Sequence, residues 1–240
     1  MNLYKEIQKS IEDYENNYSP VNRDITDKIQ LSKYIDHTQL KPEATPEQII
    51  NLCKEAKDYD FKAVCVNSSY LPLVSEELEG SKIEKAIVIG FPLGAVSTSV
   101  KSYETRWGRE HGADEFDVVI NIGHLKAKEY DYVLKDLREV VKSAGGKPVK
   151  VIIETALLEK EEKIAACVLA RLSEATFVKT STGFNARGAK IEDVSLMKYA
   201  SGGLMVKASG GIKTKEDAIT MIKAGADRIG ASSGIKIVAQ

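Results

Sequence analysis

The sequence predicts an α/β fold, a single (β/α)8 TIM barrel with an extra N-terminal helical segment. Three observations carry this. Short apolar, β-branched runs alternate with helical periodicity almost from end to end of the 240 residues, as in a parallel sheet wrapped by helices. Eight such runs are present, at 33–36, 62–66, 86–90, 116–120, 149–153, 176–179, 204–207 and 228–230. Their end markers (Asp36, Cys65, Gly90, Asp117, Glu154, Lys179, Lys207 and Gly230) fall 23 to 37 residues apart, one βα unit each. A doubly wound open sheet is the structural alternative, weakened because no GxGxxG follows the first run.

Each element carries its own signal. In residues 1–30, Leu3, Ile7 and Ile11 repeat every four positions, the stripe of an amphipathic helix. Tyr18-Ser19-Pro20-Val21-Asn22 then breaks it. This extension is expected to cover one barrel end or to support a subunit contact, and the barrel domain proper spans residues 31–240. After the first strand, Thr45-Pro46-Glu47-Gln48 supplies an N-cap, a proline at the first helical position and a capping-box glutamine. Ile49, Leu52, Cys53 and Ala56 follow on one face. Several of the strands are apolar throughout, as expected where both faces are covered. A later helix opens at Thr214-Lys215-Glu216-Asp217, carries Ala218, Ile219, Met221 and Ile222, and is ended by Gly225. Only residues 234–240 remain for the eighth helix, which must be stunted.

Bulk properties exclude several classes. A hydrophobic fraction of 43% supports a full core, and a charged fraction of 29% is ordinary. A formal net charge of -1 argues against a general nucleic-acid or membrane-surface binder. No apolar run reaches the length of a membrane span, and the first residues do not resemble a signal peptide. Cys53, Cys65 and Cys167 are scattered, which points to reduced thiols in a cytoplasmic protein. His37, His111 and His124 lack metal-ligand spacing, and only His37 sits at a strand end, so no metal is expected. No GxSxG or paired Cys/His signal appears. Cys65 reads as a small apolar filler near the barrel mouth.

The chemistry is carried by two lysines where a strand usually holds valine. Lys179 closes Phe177-Val178-Lys179 before Ser181-Thr182-Gly183, and Lys207 closes Met205-Val206-Lys207 before Ser209-Gly210-Gly211. Burial and a neighbouring ammonium both disfavour charge, so each pKa is expected to fall, leaving an amine able to attack a carbonyl. Snorkelling to the surface is the bland alternative for either alone. In a barrel all strand ends face one mouth, which gathers Asp36, Thr38, Asp117, Lys179 and Lys207. Asp117 is an acid inside an apolar run, either a structural partner of a lysine or a proton carrier. Glycines and hydroxyls cluster at the last three strand ends, at Thr182-Gly183, Ser209-Gly210-Gly211 and Gly230-Ala231-Ser232-Ser233. They suit a phosphate held by backbone N–H groups.

Taken in order, Ile35-Asp36-His37-Thr38, Lys62-Ala63-Val64-Cys65-Val66-Asn67, Val88-Ile89-Gly90-Phe91-Pro92-Leu93-Gly94, Asp117-Val118-Val119-Ile120-Asn121-Ile122-Gly123, Val151-Ile152-Ile153-Glu154-Thr155, Val178-Lys179-Thr180-Ser181-Thr182-Gly183-Phe184 and Val206-Lys207-Ala208-Ser209-Gly210-Gly211 resemble the deoxyribose-phosphate aldolases, a class I aldolase family. The resemblance runs from about residue 33 to Gly234. It implies reversible cleavage of 2-deoxy-D-ribose 5-phosphate to acetaldehyde and D-glyceraldehyde 3-phosphate, without a metal or other cofactor. By motif match, Lys179 is the Schiff-base nucleophile and Lys207 keeps it deprotonated and shares in proton transfer. Asp117 serves the proton relay through water, while Asp36 and Thr38 line the substrate site. Thr182, Gly183, Gly210, Gly211, Gly230, Ser232 and Ser233 match the phosphate-holding turns. A homo-oligomer, dimer or tetramer, is expected.

Two departures stand out. Phe184 replaces a lysine of one branch, so the phosphate site must lean on backbone amides and Lys213. No tyrosine follows Tyr199, so the C-terminal tyrosine of some members has no counterpart. The rival readings are another Schiff-base barrel aldolase with a different phosphosugar, and a silent barrel that only binds a sugar phosphate.

Overall fold

In the computed structural model, which describes residues 2–25 and 29–239, eight parallel strands close into a barrel in sequence order. They are β1 (Ile35–Gln39), β2 (Ala63–Val66), β3 (Glu84–Ile89), β4 (Glu115–Val119), β5 (Val149–Ile152), β6 (Phe177–Lys179), β7 (Met205–Ser209) and β8 (Arg228–Ala231). The helices between them are α2 (Pro46–Asp58), α3 (Leu71–Glu77), α4 (Thr98–Glu110), α5 (Ile122–Lys126), α6 (Tyr130–Ala144), α7 (Lys160–Leu172), α8 (Ile191–Ala200), α9 (Lys215–Lys223) and α10 (Gly234–Val238), after the leading α1 (Leu3–Asn17). The eighth barrel helix is indeed a single short turn.

Three strands depart from expectation by two residues or more at an end. Leu31–Tyr34 forms a 3-10 turn, so β1 starts at Ile35 and runs on to Gln39, which pairs with Val66. Lys33 is drawn outward to Asp60 at 2.5 Å. The expected run stops at Asp36, before the polar Thr38 and Gln39, but strand residues that face a barrel mouth need not be apolar. β3 begins two residues early because Glu84 and Lys85 pair with Ala63 and Val64. β7 continues beyond Lys207 through Ser209, which pairs with Gly230.

Helix signals hold in detail. Gln48 Oε1 accepts from the Thr45 N–H at 3.1 Å, and Ile49, Leu52, Cys53 and Ala56 are the buried residues of α2. Thr214 Oγ1 accepts from the Asp217 N–H at 3.1 Å. Past the end of α9, Gly225 adopts φ +116°, a conformation open to glycine without strain.

The main core lies between sheet and helices. Outward strand residues such as Ile35, Val64, Ile87, Phe116, Val151, Val178, Val206 and Ile229 join the buried helix faces in one cluster. Among the inward positions, Cys65, Ala86 and Val88 form a small apolar cluster with Leu40. Charged side chains fill much of the remaining lumen. The extension does not cap a barrel end with its helix: α1 lies along α7 and touches α6 and α8, with Leu3 and Ile7 buried. The Tyr18 hydroxyl and Val21 N–H both donate to Ser195 Oγ, at 2.7 and 2.8 Å. Only beyond these does Arg23 reach the opening at the N-terminal barrel end. The stretch 26–28 of the expected extension lies outside the described residues.

Candidate active site

The C-terminal strand ends open into a cleft of about 240 Å³ formed by the loops after β1, β6, β7 and β8. Lys179 lines it, as do Thr38, Thr182, Gly183, Gly210, Gly211, Lys213, Gly230, Ser232 and Ser233. Asp36, Asp117 and Lys207 do not; all three are fully buried beneath it. Asp36 therefore departs from its expected place on the substrate surface. The charged groups of the lumen hold its carboxylate down.

Lys179 ends β6, and Lys207 is its register partner on β7. Their Nζ atoms donate to the same oxygen, Asp117 Oδ2, at 2.9 and 2.7 Å. Lys207 Nζ also lies 2.5 Å from Asp36 Oδ2. The other Asp117 oxygen accepts from Lys150 at 2.9 Å, and Lys150 donates in turn to Glu115 at 2.6 Å. Arg228 completes the lattice. Its fork meets both Glu115 oxygens at 3.1 and 3.0 Å, while Nε donates to Asp36 Oδ1 at 2.7 Å.

This lattice shifts the titration of Lys207, Asp117 and Asp36. Burial opposes the charge on Lys207, but Asp117 and Asp36 outweigh it and raise the pKa above the ordinary lysine value. The expectation that both lysines have lowered pKa values fails for Lys207, because two carboxylates offset the missing water. Burial alone would raise the Asp117 carboxyl; Lys150, Lys179 and Lys207 instead hold it well below the usual range. Asp36 is lowered likewise, with burial overcome by Arg228, Lys207 and Lys150.

Glycine makes room for this arrangement. A Cβ at Gly230 would come within 3.0 Å of Lys207 Cε and 2.9 Å of Ser209 Cβ. The loops after β6 and β7 are also fastened together. Ser209 Oγ donates to the Ser181 carbonyl at 2.6 Å, and the Ala189 N–H donates to the Ser209 and Gly210 carbonyls at 3.1 and 3.0 Å. A Cβ at Gly188 would sit 2.1 Å from the Gly210 oxygen. Phe184 stands at the cleft and packs edge-on to Phe91.

Sequence reasoning missed five residues. Lys150, Glu115 and Arg228 fill the lumen, Lys41 lines the cleft, and Glu154 accepts from the Thr182 N–H at 3.2 Å. The signal was present for most of them. Glu115-Phe116-Asp117, Val149-Lys150-Val151 and Arg228-Ile229-Gly230 each put a charge at an inward strand position, as Lys179 and Lys207 do. His37 turns outward against Phe61 and pairs with Glu55 at 2.6 Å. Cys65 packs in the lumen, where burial pushes its thiol up. Among the described residues, no three or more His, Cys, Asp or Glu side chains gather to hold a metal ion, and no helix is long and apolar enough to cross a membrane.

The closed barrel, with its cleft at the C-terminal strand ends, defines a TIM-barrel enzyme. Residues 31–240 match the family model described as DeoC/LacD family aldolase, and the chain belongs to that family. A relative from Clostridium novyi (strain NT), named deoxyribose-phosphate aldolase, is 58% identical over 212 residues, 88% of this chain and 96% of its own length. One of the same name from Thermotoga maritima is 59% identical over 205 residues, 85% of this chain and 83% of its own. A solved deoxyribose phosphate aldolase from Aeropyrum pernix, described as a unique tetramer, superposes with TM-score 0.82 at 36% identity, over 88% of this chain and 89% of that one. A solved chain from Coccidioides immitis reaches TM-score 0.95 at 41% identity and covers all of this chain and 97% of its own.

Proposed function

We propose that the protein cleaves 2-deoxy-D-ribose 5-phosphate reversibly to acetaldehyde and D-glyceraldehyde 3-phosphate through an imine on Lys179. The observation that carries this is the pair of buried lysines on one Asp117 oxygen, of which only Lys179 reaches the cleft. The names of the relatives supply the substrate.

The neutral Lys179 amine adds to the open-chain sugar aldehyde, and loss of water gives a protonated imine. A base removes the C3 hydroxyl proton, and the C2–C3 bond breaks. Its electrons flow into the imine to form an enamine, so no bare carbanion arises. Glyceraldehyde 3-phosphate leaves. Protonation of the enamine carbon and hydrolysis then release acetaldehyde and the free amine.

Lys207 rests as an ammonium under its two carboxylates, beside the Lys179 amine on the shared Asp117 oxygen. Asp117 is too acidic to hold a proton long, so its part is to orient both amines while Lys207 and water move protons. The phosphate is received by the turns at Gly183, Gly210, Gly211, Ser232 and Ser233, with Lys213 and Lys41 supplying positive charge. The tetrameric Aeropyrum relative supports a homo-oligomer.

The test is borohydride reduction with acetaldehyde followed by peptide mass mapping. An ethyl adduct on Lys179 is expected. An adduct on Lys207 instead would exchange the two roles. No adduct, with deoxyribose 5-phosphate left intact, would defeat the reading.

A further inference from the structure

We infer that Arg228, working with Glu115, is a positioning residue for the lysine pair and sets from the opposite barrel end how many protons that pair holds. This rests on the imine reading above. Arg228 starts β8 and borders the opening at the N-terminal barrel end, together with Glu115, Glu84, Lys62 and Arg23. It touches neither the cleft nor Lys179. Yet its guanidinium joins Asp36, the carboxylate under Lys207, to Glu115, the carboxylate under Lys150. Lys150 and Lys207 are two of the three cations on Asp117. A planar fork holding two carboxylates at fixed separation transmits geometry that a flexible ammonium would not.

The charges that face the lysine pair come from every side of the lumen. Asp36 projects from β1, Glu115 and Asp117 from β4, Lys150 from β5 and Arg228 from β8; Cys65 from β2 is held neutral by burial. Glu84 of β3 lies at the rim, shared between Arg228 and Lys62. Within the lumen, then, three carboxylates face Arg228, Lys150, Lys207 and Lys179. With Arg228, Lys150 and Lys207 charged, the carboxylates are already matched, and a proton on Lys179 is surplus. Without Arg228 that proton would be wanted. Removing Glu115 would make it more surplus still.

The experiment is the pH dependence of kcat/KM for deoxyribose 5-phosphate cleavage in Arg228→Gln, Glu115→Gln, the double variant and Arg228→Lys. Borohydride labelling of the wild type runs in parallel. In Arg228→Gln the acid limb is expected to move up by about one pH unit, the scale of one charge roughly 10 Å away at an effective dielectric of about 20. Glu115→Gln moves it down, and the double variant returns it near the wild type. Arg228→Lys keeps the limb but lowers kcat about tenfold, with KM within about threefold, because charge is retained and the fork is lost. Limbs that stay put, or that move the same way in both single variants, overturn the inference and leave the imine reading standing. If Arg228→Gln fails to fold, the limb of Glu115→Gln and the kcat of Arg228→Lys still decide the matter. A wild type that labels nowhere takes both down.

Discussion

Replacing Lys179 by alanine removes the only buried amine that borders the cleft among the described residues. Turnover is expected to fall by more than about 10⁴-fold, as for loss of a nucleophile. Lys207→Leu keeps the nucleophile but removes the ammonium beside it, and kcat is expected to fall about 10²- to 10⁴-fold. Steady-state kinetics at saturating substrate checks both, and a Lys207→Leu variant with wild-type kcat would contradict the arrangement. At this scale the sequence was informative about types and blind to depth. Lys179, Lys207 and Asp117 stand out because a charge in an apolar strand is costly unless it is used or paired. The same signal marks Lys150, Glu115 and Arg228, but a terminal Arg or Glu also reads as a strand-end solvent contact. Asp36 reads as a residue lining the barrel mouth when β1 is taken to stop there; the strand goes on to Gln39, which leaves Asp36 buried in the lumen.

Among the elements, α4 and α6 are joined by a fully buried ion pair, Lys101 to Asp136 at 2.6 Å, with Thr98 donating to the second Asp136 oxygen at 2.8 Å. Burial lowers the Lys101 pKa despite Asp136, so the pair is stable only while both members stay. Asp136→Ala leaves an uncompensated buried ammonium and is expected to destabilise the fold by about 3–5 kcal/mol. Lys101→Met with Asp136→Leu should recover most of that in chemical denaturation; equal loss in single and double variants would refute the assignment. The helices bearing Thr45 and Thr214 were legible because capping is local. The pair between α4 and α6 was not, since Lys101 and Asp136 look like solvated residues until the packing of the two helices is known.

The whole molecule turns the usual order of a domain partly inside out, with an apolar jacket around a lumen rich in charge. Asp36 and Asp117 have lowered pKa values. Their stabilisation is complete above the unfolded value of about 4 and is lost as pH falls towards the folded values. Lys150 and Lys207 are raised, so theirs is complete below about 10.4 and is lost as pH rises through the folded values. Calorimetry should show a broad plateau in melting temperature between these limits and a fall below about pH 4; a melting temperature unchanged down to about pH 2 would contradict the charged lumen. The fastening of the loops after β6 and β7, through Ala189 to Ser209 and Gly210 and through the close approach of Gly188 to Gly210, makes the two behave as one jaw. Amide exchange along 181–189 and 209–211 should then follow a common opening rate, and a ligand gripping only one loop should slow both. Gly188→Ala would split that single rate into two, leaving each half of the jaw to breathe by itself.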